Sequence, residues 1–104
     1  MEFYDIFVQA IHDKKIIKVT EDTEEKGRIE RTAIPYDFGK SNRDNLAENP
    51  DKFHMYHLET NHTVALLPEK IVAMTVTDDS FDPADYVTWT PTNWSLPRDW
   101  GAQS

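Results

Sequence analysis

The amino-acid sequence predicts a mainly β protein: one N-terminal α-helix, five short strands and a C-terminal extension rich in aromatic residues and proline. Three observations carry this reading. Apolar residues recur at helical spacing only near the start, runs rich in β-branched residues separated by turn formers follow, and all three tryptophans fall beyond residue 81. The chain has 104 residues, the size of one small domain, which we divide into a helix and strand body over 1–80 and an extension over 81–104 that packs on that body or on a partner.

Phe3, Ile6, Phe7, Ala10 and Ile11 recur at spacings of three and four, which places them on one helical face while Glu2, Asp5, Gln9 and Asp13 face water. So short a helix is unstable alone, and its stripe must pack on the β structure that follows. Residues 15–20 and 28–34 read as strands through Ile16, Ile17, Val19 and Thr20 and then Ile29, Thr32 and Ile34. The polar stretch 21–27 joins them as a hairpin, with Gly27 where a connection needs positive φ. Pro35 is expected to end the second strand, because it cannot donate to a ladder, and residues 36–39 to turn. A long polar connection follows over 40–52, with Asn49-Pro50-Asp51 in the pattern of one helical turn. Residues 53–59 and 63–67 form a second hairpin, Pro68 makes a tight turn, and 71–77 is apolar on both phases, predicting a strand covered on both faces.

The extension is no flexible linker, since three indoles are costly to leave in water. Asp82-Pro83-Ala84-Asp85 has a capping aspartate followed by proline, the start of a short helical turn. Beyond it, Pro91 and Pro97 dictate an extended path, with Trp89, Trp94 and Trp100 seated on the body or on a second copy; these three are the candidate partner-binding residues, and a homodimer through the tail is one expectation.

Composition narrows function. The chain has no cysteine, which excludes disulfides, thiolate metal sites and cysteine nucleophiles. It has no apolar run long enough to span a bilayer and no secretory start, so we expect a cytoplasmic protein with no membrane partner. The net charge of -8, with Asp78, Asp79, Asp82, Asp85 and Asp99 against the single base Arg98 beyond Lys70, argues against nucleic acid as a partner.

Several features in order suggest a family: Ala10-Ile11 before Lys14-Lys15 and Val19, a turn at Gly27, then Arg31, Pro35-Tyr36 and Gly39, a Tyr56/Leu58 strand, Ile71 opening the last strand, and Phe81. Over about residues 6–82 this order resembles the WYL domain and its short relatives. The resemblance implies a five-stranded SH3-like or Sm-like barrel preceded by a helix, and a role as a ligand-sensing or nucleic-acid-contacting regulatory module. The chain departs from the pattern in reading Met55-Tyr56-His57-Leu58 where the Trp-Tyr-Leu triplet would stand.

Side chains with chemistry are few. His57 and Glu59 share a strand face and His62 returns through a turn, a weak alternative metal site of two ligands and a third. Asp78-Asp79 and Asp82/Asp85 read as turn and cap residues instead of an acid–base pair, and no serine sits in a nucleophile elbow. No cofactor and no catalytic residue is expected. Arg31, Tyr36, Phe38 and Arg43 are the candidate ligand-binding residues, Arg31 because a half-buried guanidinium needs an anionic partner, either a ligand or a carboxylate near Glu30 or among the aspartates. The sequence thus points to a noncatalytic protein-interaction or regulatory module; a sensor of a small anionic ligand or nucleotide and a small metal-binding protein or hydrolase are the alternatives.

Overall fold

A computed structural model describes residues 2–40, 50–89 and 92–104; Asn49 and Arg43 lie outside the described residues. Helix α1 (Tyr4–Asp13) is followed by strands β1 (Lys15–Thr23), β2 (Gly27–Gly39), β3 (Lys52–His57), β4 (His62–Leu66) and β5 (Ile71–Ser80). All pairings are antiparallel, in the order β4-β3-β2-β1-β5. This is the mainly β, helix-first, five-stranded arrangement that the sequence predicts. β4 and β5 are the two ends of the sheet, which does not close through strand pairing among the described residues. A single-turn 3₁₀ segment at Pro68–Lys70 joins β4 to β5, and two more follow at Pro83–Asp85 and Gly101–Gln103.

The helix stops because Lys14 takes the left-handed conformation (φ 55) and sends its amide back to Ala10 and Ile11 carbonyls, and β1 starts at the next residue. The chain therefore folds back at once, and α1 lies over the sheet: Phe7 meets Phe53 edge-on at 4.8 Å and Tyr4 meets Phe38 at 5.1 Å. Phe7, Ile11, Ile17, Val19, Phe53 and Met55 form the sealed centre. Gly27 has φ 68 at the end of the first hairpin, as its position in the sequence requires.

Two strand expectations are corrected. β2 does not end at Pro35 but runs through residues 36–39, where a turn was expected. The reason is local: β1 pairs with β2 only as far as Ala33, so Pro35 lies on a stretch bonded to β3 alone and beside a register shift, where a missing N–H is tolerated. The strand covered on both faces is this part of β2, buried at Ala33, Ile34, Pro35 and again at Asp37, Phe38 and Gly39. β5 is instead an edge strand whose Val72 and Val76 are exposed while Ile71 and Met74 are buried.

The second cover of β2 is the tail. The turn at Pro83–Asp85 has the expected cap, Ala84 N donating to Asp82 Oδ1 at 3.1 Å. The chain then crosses β2 and β3 and returns to the helix, where the Trp100 indole N–H donates to the Ile11 carbonyl at 2.9 Å, one of the acceptors left over at a helix C-terminus. The indoles thus pack on the body of their own chain.

Candidate interaction site

Among the described residues the tail has no strand pairing, and after the main-chain bond from Phe81 N to the Lys14 carbonyl its position depends largely on side-chain contacts. Asp37, on the outer face of β2, accepts hydrogen bonds from the amides of Ser95 (3.0 and 3.1 Å) and Leu96 (3.1 Å). Arg98 completes the clasp: its guanidinium lies 3.4 Å from Asp37 Oδ1 and donates to the Leu96 carbonyl and to the Tyr36 carbonyl. Two indoles inclined at 71° to each other lie against it, with Cζ 4.1 Å from the Trp94 ring centroid and 4.4 Å from that of Trp100. The Arg98 side chain is fully buried. Burial lowers its pKa to about 10, against the opposing pull of Asp37, so the group stays charged at neutral pH. At Gly39 the tail passes so close that a Cβ would stand 2.6 Å from Ser95 Oγ. The final residues fold in as well: Trp94 Nε1 donates to the Gln103 carbonyl and Thr92 Oγ1 to the Ser104 carbonyl.

Once clasped, the tail leaves a shallow aromatic cleft against the outer face of β2 and β3, with an internal space of about 10 Å³, enough for one water molecule. Tyr36, Tyr56, Tyr86 and Trp89 line it, with Phe81 and Trp100 as further walls. The rings brace one another: Tyr56 and Tyr86 at 5.3 Å, Tyr36 and Trp89 at 6.3 Å, Trp89 and Trp94 at 5.9 Å, Phe81 and Trp100 at 5.6 Å. Trp89 is 41% exposed, the one tryptophan of the three that presents much of its surface to solvent.

The residues singled out in the sequence fall into different places. Trp100 is buried and Trp94 half-buried, both used by the clasp. Tyr36 lies in the cleft, whereas Phe38 is a core residue between Tyr4 and Phe53. Arg31 reaches Glu21 with Nε and Nη2 at 2.8 Å each, and its Nη1 lies 3.0 Å from His57 Nδ1. A guanidinium only donates, so His57 Nδ1 accepts and the ring proton sits on Nε2, 2.6 Å from Glu59 Oε2 but out of line for a hydrogen bond. Glu59 is held below the ordinary carboxylate value: burial pushes it up, and the hydrogen bonds from Thr32 outweigh that push, with a smaller contribution from His57. This cluster neutralises Arg31 within the protein, which weakens its standing as an anion receptor. Among the described residues no three histidine, aspartate or glutamate side chains converge as a metal site would need, and no helix is long and apolar enough to cross a membrane.

Sequence reasoning missed Asp37, Arg98, Tyr56 and Tyr86 as members of this site. The one available signal was Arg98 itself, a lone base in an acidic third of the chain. No family model, curated protein or solved structure matches the chain.

Proposed function

We propose that the protein is a noncatalytic interaction module, a helix-topped SH3/Sm-like and WYL-like body whose clasped tail builds a docking cleft for a segment of another protein. One observation carries the reading: the cleft is walled by braced aromatic rings, and its most exposed member, Trp89, is held in place by ring contacts to Tyr36 and Trp94. Rigid aromatic side chains contribute large contact area at little cost in conformational entropy, which is why they dominate binding surfaces. The strand order with a 3₁₀ turn between β4 and β5 is compatible with a small barrel of the SH3 or Sm type.

The anion-sensor alternative has less support, because Arg31 is occupied by Glu21 and His57. Selection of a random peptide library on the full chain tests the docking reading. The expected result is enrichment of a common motif that the Trp89→Ala protein no longer retains; a selection that yields no motif, or one indifferent to Trp89→Ala, would contradict it.

A further inference from the structure

We infer that the edge of β5 is a self-association surface, which pairs with β5 of a second copy as an antiparallel ladder about a two-fold axis at Met74. Among the described residues β5 pairs with β1 alone and ends the sheet. Exposure falls on both phases of the strand: Val72 and Val76 are 37% and 46% exposed, and Ala73 and Thr75 are exposed with them. The edge of a sheet carries unpaired amides and carbonyls, which proteins protect by brevity, by charge or by proline. β4, at the other end, has five residues, whereas β5 has ten and over 71–77 neither a charge nor a proline. The occupant follows from the sequence of the edge. A two-fold axis normal to the sheet sets one residue opposite its own copy and the flanking residues opposite each other. With Met74 on the axis, Val72 faces Val76 of the other copy and Lys70 faces Asp78, each pairing occurring twice. With the axis on Ala73, Lys70 would face Val76, and with it on Thr75, Asp78 would face Val72, so of the three only Met74 joins both valines and both charges. Met74 also lies within 73–76, the stretch of β5 in regular register with β1. The Asp78 carbonyl already accepts from Lys15 Nζ at 3.3 Å, so the main-chain ladder covers 72–76 and Asp78 contributes through its carboxylate. The like-charged pair Glu69 and Asp79, next outward, marks its end. These local pairs act against the general repulsion between copies of net charge -8, which keeps the association weak.

Sedimentation velocity of the full chain, up to millimolar concentration, is expected to show a reversible monomer–dimer equilibrium that Val76→Lys weakens at least about tenfold. Cross-linking reads the register. The chain has no cysteine, so Val72→Cys and Val76→Cys each introduce a single thiol. Mixed and oxidised, the two variants are expected to form a disulfide-linked dimer. Either variant alone is not, because its two thiols lie about 13 Å apart along the strands, beyond the ~7 Å between Cα atoms that a disulfide spans. A chain that stays monomeric at every concentration overturns the inference. So does a dimer that Val76→Lys leaves untouched, or one that cross-links as readily from a single variant as from the mixture. The cleft beneath the tail plays no part in this association, and the library selection tests it separately.

Discussion

Two arginines in this protein meet carboxylates, and they do different work. Arg31 and Glu21 lie on adjacent strands as diagonal neighbours, Glu21 facing Ile29 in the register, and their side chains remain 17% and 15% exposed. Strand pairing alone fixes that hairpin, so the ion pair adds little. Arg98 and Asp37 stand 61 residues apart in sequence, and the Arg98 side chain is shielded from water by two indoles. No ladder holds the tail among the described residues, so there the polar clasp decides whether the cleft exists. The weight of an ion pair follows from what else would hold its elements together.

The comparison is broken most severely by Asp37→Ala, which leaves the Arg98 charge buried without its partner and frees two tail amides. A loss of about 3–5 kcal/mol in denaturant unfolding is expected, with the tryptophan near-ultraviolet signal reduced as well. Gly39→Ala drives a methyl group into Ser95 and is expected to cost about 1–3 kcal/mol, partly recovered by adding Ser95→Gly, which removes the obstructing side chain. Glu21→Ala, which breaks the more exposed pair, is expected to cost about 1 kcal/mol or less, and a drop as large as that of Asp37→Ala would erase the distinction drawn between the two arginines. The smallest effect is that of pH on Glu59. Its folded pKa is below the ordinary 4.5, so the unfolded chain binds the proton more readily; its contribution is present above that value and fades as pH falls through the lower folded value. Glu59→Gln should remove this part of the acid dependence by lowering the unfolding midpoint slightly at neutral pH while leaving it unchanged in acid.

Locality explains what the sequence could convey. The α1 stripe, the Gly27 turn and the Asp82 cap are set by residues within a few positions of one another; the turn and the cap stand where expected, and the stripe does at Phe7, Ala10 and Ile11, whereas Ile6 is 40% exposed and Phe3 precedes the helix. Arg31 was legible as a group needing a carboxylate, yet the partner is Glu21 on the next strand instead of a neighbour of Glu30, because register chooses between them. Pro35 misled for the same reason: whether a proline stops a strand depends on which neighbour is bonded at that point, and here the pairing with β1 has already ended at Ala33. The apolar run in β5 looked covered on both faces, but Val72 and Val76 are exposed on this terminal strand of the sheet. Asp37 and Arg98 carry no local mark at all, since each is explained only by an element far along the chain.

Hydrogen exchange at the three indole N–H groups tests the clasped tail most directly. The Trp100 indole, bonded to the Ile11 carbonyl, and the Trp94 indole, bonded to the Gln103 carbonyl, should exchange far more slowly than that of Trp89, with the Ser95 and Leu96 amides protected alongside. Three indoles exchanging together at the rate of an unprotected group would mean that the tail does not lie on the body, and the cleft built from it would be lost with it.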